Sequence, residues 1–354
     1  MSRNLSVVST ENGIGKTAFA LALGMVAKEH EIEVGYMKPL GTRLRTRYGK
    51  PLDEDSVLAK KVLELDSEIE DLNPVIYSET FIEQAMKGRE KTVKLRKKIL
   101  NSYKKLSKNK DLMIIEGGGK LNTGGIINLT DFDIAELFDS DVVLLGQFDS
   151  PVDLDDLLDG TARIGKHLLG VIFNAVSEMN LGKIETLVTP LLNSKNIPIL
   201  GVLPRKKELA GIKVRELSEE LGAENITNVS GDASIARFLV GAMTGEDALR
   251  YLRRVKDTAF ITGGDRSDIQ RAALESPGIK CLILTGGFEP PGAIIGKAEE
   301  KNIPILVVQS DTLTAVETAE EIIRTGRTRK VQDVEIMKNL IKENIDLDAI
   351  LKPN

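Results

Sequence analysis

The residues with the most chemistry to offer stand near the start of the chain. Leu5-Ser-Val-Val8 runs into Ser9-Thr10-Glu-Asn12-Gly13-Ile-Gly15-Lys16-Thr17, and Ala18 opens an apolar stretch that reaches Ala27. A strand, a glycine-containing turn, Lys-Thr and a helix make a phosphate-binding loop. Backbone N–H groups of the turn and first helical turn converge on phosphate oxygens. Gly13 and Gly15 remove Cβ atoms where the backbone must turn sharply. Lys16 offers a point charge to β/γ-phosphates, and the Thr17 hydroxyl is a ligand for Mg²⁺. Thr10 replaces the usual first glycine of the pattern. The competing reading is an ordinary strand–helix turn, and the flanking strand and helix weigh against it.

Two carboxylates are placed to complete such a site. Leu112-Met-Ile-Ile115 ends in Glu116-Gly-Gly-Gly119, and a carboxylate at the carboxyl end of a parallel strand faces the ligand crevice. Asp53-Glu-Asp55 precedes the helix-like Ser56–Leu65, where Asp53 or Glu54 reads more simply as a helix cap. Lys38 follows the strand Val34–Met37 and can meet a transferring phosphate or an anionic substrate. Asn174 follows Gly170–Phe173; its side-chain amide both donates and accepts, which suits a base edge, and a turn asparagine is the alternative.

These groups need a scaffold that carries them to one edge. Short apolar runs alternate with amphipathic stretches: Leu5–Val8, Val34–Met37, Leu112–Ile115, Val142–Leu145, Gly170–Phe173 and Ile199–Val202, then Thr258–Ile261, Cys281–Leu284 and Ile305–Val308. Helix-like segments between them include Ala18–Lys28, Lys91–Leu106, Ile184–Asn193 and Thr314–Arg324. This alternation predicts an α/β protein with parallel sheets covered by helices. The expected domains are 1–205 for nucleotide binding, 206–222 as a linker, 223–330 as a smaller α/β unit and 331–354 as a docking helix.

Composition sets outer limits. The chain has 354 residues, 42% hydrophobic and 29% charged, a globular rather than disordered balance. A net charge of −5 and no Trp argue against non-specific nucleic-acid binding. Cys281 is the only cysteine, so no disulfide can form within the chain, and it lies in an apolar run as a buried small hydrophobe would. No apolar stretch reaches membrane-spanning length and no leader precedes the first strand, so a cytoplasmic location is expected. His30 and His167 lack the spacing of metal ligands.

In order, Thr10–Thr17, Gly35-Tyr-Met-Lys38-Pro39, Asp55, Asn73-Pro74, Glu116–Gly119, Gly170–Asn174 and Leu200–Pro204 resemble dethiobiotin synthetase over roughly residues 1–205. The resemblance implies a P-loop NTPase sheet that uses ATP and Mg²⁺. Thr10, Asn12, Gly13, Gly15, Lys16, Thr17 and Ala18 would hold the phosphates and Asn174 the adenine. Thr17, Asp55 and Glu116 would surround Mg²⁺, and Lys16, Lys38 and Glu116 would carry catalysis. Lys120 stands where that family has a small residue, which alters the substrate side.

Further on, Phe260-Ile-Thr-Gly-Gly-Asp265-Arg266 and Leu284-Thr285-Gly286-Gly287, after Gly241-Ala-Met243, look like a DRTGG domain. Asp265, Arg266, Thr285, Gly286 and Gly287 are its candidate effector or interface residues. The glycine turns can bind an anion through their N–H groups, or simply close strand–helix connections. The fusion resembles the N-terminal half of long phosphotransacetylases, and the sequence ends before an acetyl-transferring domain, so that activity itself is not expected here. Two functions follow: a nucleotide-dependent regulator, or an ATP-dependent ligase acting on a carboxylate or carbamate. Implied partners are a nucleotide, a small anionic metabolite, a second copy in a homodimer and an enzyme of acetate metabolism.

Overall fold

The computed structural model describes residues 2–47, 49–241, 251–252, 255–324 and 330–352. It divides into two compact units, 1–206 with 328–354, and 207–327.

In the first unit, six strands form a parallel sheet: β1 (Arg3–Ser9), β2 (Val34–Met37), β3 (Leu112–Glu116), β4 (Asp141–Gly146), β5 (Leu168–Val176) and β6 (Ile199–Pro204). Their order is β6-β5-β4-β1-β3-β2. The chain leaves β1 towards β2 and β3, then crosses back to β4, so the sequence order reverses beside β1. Ligands of open parallel sheets bind at the carboxyl ends of strands at such a reversal. Each run named from the sequence in this unit lies within one of these strands. Val7, Leu5, Ile114, Leu144 and Phe173 are fully buried, as strands covered on both faces require.

Helix α1 (Lys16–Glu29) starts where β1's turn ends and buries eleven residues, from Lys16 to Ala27. Such an apolar surface needs cover on more than one side. The sheet supplies one side and the C-terminal segment another. Helices α2 (Glu54–Val62) and α3 (Asp131–Phe138) bring acidic residues to the same edge. A hairpin missed in the sequence, Leu44–Arg47 with Lys50–Asp53, carries the chain into α2.

The second unit has strands β7 (Glu224–Asn225), β8 (Arg237–Val240), β9 (Thr258–Gly263), β10 (Ile279–Thr285) and β11 (Ile305–Val307), ordered β7-β11-β10-β9-β8. Within this sheet, among the described residues, only β7 pairs antiparallel. Cys281 is buried within β10, where its surroundings push the thiol pKa far up.

Of the expected linker 206–222, residues 207–222 are folded and belong to this unit. Ile212–Lys213 pairs with Ser234–Ile235, and helix α4 (Val214–Leu221) buries Val214 and Leu217 in a core with Ile261 and Ile283. Val214–Leu221 is helix-like in the sequence and forms that helix; the structure adds the core it packs on. The tail instead returns to the first unit. Helix α5 (Val331–Asn344) packs on α1 with Val334, Met337, Leu340 and Ile341 buried, and Lys338 lies 3.3 Å from Glu29. Beyond it, Asp346 N donates to Leu200 O at 2.8 Å, and Arg3 Nη1 donates to Ile350 O at 2.5 Å.

Candidate functional site

The turn after β1 adopts the backbone that its glycines permit. Gly13 has φ +79° and Gly15 φ +90°, both in the left-handed region, and α1 begins at the next residue. No side chain caps α1, which leaves its first-turn amides to a ligand or solvent. Thr10, Asn12 and Gly13 form the outer part of the turn, and Ala18 is buried in the helix's first turn. A Cβ at Gly15 would stand 2.7 Å from Asn174 Nδ2.

Lys16 is nearly buried. Its Nζ donates to Ser9 Oγ at 2.7 Å and to the Gly119 carbonyl. Burial pulls its pKa below the ordinary value, and the charges of Asp131 and Glu116 oppose that pull. The ammonium therefore waits on a backbone carbonyl, within reach of whatever replaces that acceptor.

Glu116 closes β3 as expected and is held from two sides. Thr17 Oγ1 donates to Oε1 at 2.6 Å and Tyr36 OH to Oε2 at 2.7 Å. Burial raises its pKa to about 7 against the pull of Lys38. Tyr36, at the middle of β2, escaped sequence reasoning because a buried strand tyrosine looks like core.

Lys38 is buried as well and pairs with two carboxylates, Asp53 at 3.1 Å and Asp55. Arg43 Nη1 reaches the other oxygen of Asp55 at 2.5 Å. Burial works against the Lys38 charge, but Asp55 and Asp53 outweigh it and hold its pKa above the lysine value. Burial likewise opposes the Asp55 charge, and Lys38 with Arg43 holds that carboxyl below its ordinary range. Asp53 does cap α2, accepting from Ser56 N at 3.0 Å, and it serves the ion cluster too. The cap reading was right and incomplete. Asn73 donates to Lys38 O at 2.7 Å, bracing the start of the loop.

Asn174 is buried beside the phosphate loop. Its Nδ2 donates to Ile14 O at 2.6 Å and its Oδ1 accepts from Ala175 N at 2.9 Å. Both ends of the amide thus brace backbone here. Lys120 is exposed. Asp131, absent from the sequence reading, is 6% exposed, and burial lifts its pKa to about 7. The pattern Thr130-x-x-Asp133 signals a helix start at that point, and the structure contains that capping box.

Magnesium would find suitable oxygens at Thr17 and Glu116. Such an ion needs one or two protein oxygens, with phosphate and water completing its shell. Asp55 fits that role less directly, because a cation already holds each of its oxygens.

In the second unit, Gly286 N donates to Ser310 O and Gly287 N to Val308 O, each at 2.9 Å, while Gly264 N donates to Thr285 O at 3.1 Å. These amides close the strand–turn connections, and an anion nest from them is not what forms. Thr285 Oγ1 meets Thr312 Oγ1 at 2.7 Å, Asp265 is exposed, and Arg266 Nε lies 3.4 Å from Asp268. Of Gly241-Ala-Met243, only Gly241 lies within the described residues.

An AAA domain model matches residues 3–213 and a DRTGG domain model residues 216–322. Phosphate acetyltransferase of Haemophilus influenzae is 23% identical over 386 residues, covering 99% of this chain and 52% of that protein. Dethiobiotin synthetase of Methanococcus vannielii is 28% identical over 212 residues, covering 57% of this chain and 93% of the relative. The chain thus spans about half the length of the curated phosphate acetyltransferases it matches. Among solved structures, MinD of Aquifex aeolicus aligns with 59% of this chain and 84% of its own, at 14% identity and a TM-score of 0.36. No helix among the described residues is long and apolar enough to cross a membrane. With its phosphate loop at the reversal of a parallel sheet, the chain belongs to the AAA domain family and carries a DRTGG domain as its second unit.

Proposed function

We propose that the first unit binds Mg-ATP and that the bound nucleotide sets the state of a regulatory or sensing protein. One observation carries the nucleotide reading: Lys16 and Thr17 open α1 directly after two left-handed glycines, and Glu116 accepts from the Thr17 hydroxyl at 2.6 Å. That arrangement supplies amide donors, a cation and an Mg²⁺-competent pair at one edge. Two features support regulation. The alignment with phosphate acetyltransferase runs through both units, whereas that with dethiobiotin synthetase covers little beyond the first. In addition, Lys38 is neutralised by two buried carboxylates, and a phosphate-transferring role would require it to leave them.

The alternative, an ATP-dependent ligase phosphorylating a carboxylate or carbamate, draws support from the nearly full-length match to dethiobiotin synthetase. Adenine is the proposed base, with Asn174 at its edge. A homodimer in the cytoplasm and a partner enzyme of acetate metabolism complete the proposal, and a concentration-independent monomer mass in sedimentation would refute the dimer.

Calorimetric titration of Mg-ATP into wild type and Lys16→Ala tests the site. Wild type is expected to bind, and the variant to lose at least tenfold in affinity; equal affinities would rule the site out. ATP turnover across a panel of small carboxylates and amines then separates the two readings. A compound consumed in step with ATP would establish the ligase, and an unresponsive turnover agrees with regulation.

A further inference from the structure

Four buried side-chain atoms among the described residues have no hydrogen-bond partner: Asn73 Oδ1, Arg96 Nε, Asp131 Oδ2 and Gln270 Oε1. Such atoms are costly unless a water, an ion or a ligand meets them. Asp131 Oδ2 differs from the others in its surroundings. Its residue lines a small cavity together with Glu116, Gly117, Gly118, Ser6 and Ile134, under the turn that follows β3. The cavity has room for about one water molecule. A side chain added at Gly117 would collide with the Asp131 carboxylate, so the glycine lets acid and turn approach.

No phosphate-loop residue lines the cavity, and its link to the phosphate lysine runs through the turn above it. Gly119, two residues beyond Gly117, accepts from Lys16 Nζ, and Asp131 heads the charges that sustain the Lys16 ammonium. A phosphate-loop lysine reaches β/γ-phosphates, so the terminal phosphate of a bound nucleotide comes close to this turn. Hydrolysis of that phosphate needs a residue that orients the attacking water. Glu116 is engaged by Thr17 and Tyr36, which leaves Asp131 with the open acceptor.

We infer that Asp131 is the water-positioning residue for ATP hydrolysis, holding one water in the cavity it shares with Glu116; this rests on the Mg-ATP site proposed above. The water oxygen forms a bond to the γ-phosphorus, the bond from that phosphorus to the β,γ-bridging oxygen breaks, and ADP leaves with the electron pair. The water's proton passes to the Asp131 carboxylate. Burial, which lifts the Asp131 pKa to about 7, makes the group a competent acceptor near neutral pH.

The full-length protein and Asp131→Asn are compared by Mg-ATP calorimetry, single-turnover hydrolysis and thermal melting. Asn keeps the shape and removes the basic oxygen. The expected result is a loss of at least 100-fold in the hydrolysis rate with Mg-ATP affinity changed less than threefold, and partial recovery in Asp131→Glu. A crystal structure of the wild type should hold an ordered water on Asp131 Oδ2. The inference is overturned by unchanged hydrolysis in Asp131→Asn, by weaker binding with an unchanged rate, by a wild type that binds ATP without hydrolysing it, or by a dry cavity. Should Asp131→Asn fail to fold, Asp131→Ser carries the same comparison. A wild type that does not bind Mg-ATP at all would instead defeat the nucleotide reading itself.

Discussion

Replacing Lys38 with Met is the sharpest probe of how the site is held together. Met preserves much of the side chain's length and removes its charge. Lys38 and Asp55 are each 2% exposed and Asp53 is fully buried, so water can compensate little. Removing one member of a buried ion pair costs about 3–5 kcal/mol, because the partner charge stays buried. The remaining contacts favour the lower end of that range. Asp55 keeps Arg43 at 2.5 Å, and Asp53 keeps the amides of Ser56 and Arg43 at 3.0 and 3.1 Å. A loss of about 3 kcal/mol corresponds to roughly 6–12 °C in melting temperature for a unit of this size. Urea unfolding followed by tyrosine emission suits the purpose: the chain has five Tyr and no Trp, and all but Tyr251 fall in the first unit. A destabilisation below about 1 kcal/mol, the range of exposed pairs, would refute the buried cluster.

Two further outcomes follow from the same geometry. The Glu116 carboxyl, raised from 4.5 to about 7, binds its proton more tightly folded than unfolded. Its contribution to stability is therefore fully present below pH 4.5 and is lost as pH rises to 7, by about 3 kcal/mol. Glu116→Gln should thus gain stability relative to wild type between pH 5 and pH 8; a constant difference in urea midpoint across that range would contradict the raised pKa. Gly15→Ala forces an L-residue to φ +90° and a Cβ against Asn174 Nδ2, so about 1–2 kcal/mol of backbone strain should accompany at least tenfold weaker Mg-ATP binding. Calorimetry showing wild-type affinity would mean that the loop accommodates a side chain.

Legibility differed sharply between neighbouring residues. Lys16 and Thr17 were readable because the motif is contiguous: a strand, glycines and a helix start set the backbone locally, and the side chains inherit their places. Glu116 was readable because a strand end fixes direction. Tyr36 and Asp131 gave no comparable signal. A buried tyrosine and a helix-start aspartate are common core and cap residues, and only packing reveals that one donates to Glu116 and that the other has an unpaired oxygen, Oδ2. In 207–222 the helix Val214–Leu221 was legible and its membership of the second unit was not. Charge on one face of α4 says nothing about what the opposite face meets, and Val214 and Leu217 meet a core.

The sequence by itself determined the strand–helix alternation, the phosphate loop with Lys16 and Thr17 at the start of its helix, and the pairing with a DRTGG domain. The first two follow from local sterics and periodicity, which a linear pattern encodes directly; the third is carried by the resemblance of Phe260–Arg266 and Leu284–Gly287 to that family's segments. Tertiary structure alone decided that Lys38 is neutralised by Asp53 and Asp55, that Arg43 joins them, and that Asn174 braces Ile14. It also decided that the tail folds back, placing α5 on the phosphate-loop helix with Lys338 beside Glu29. These arrangements depend on which charges lose their water together and which apolar faces find cover. Both are properties of the folded neighbourhood rather than of spacing along the chain.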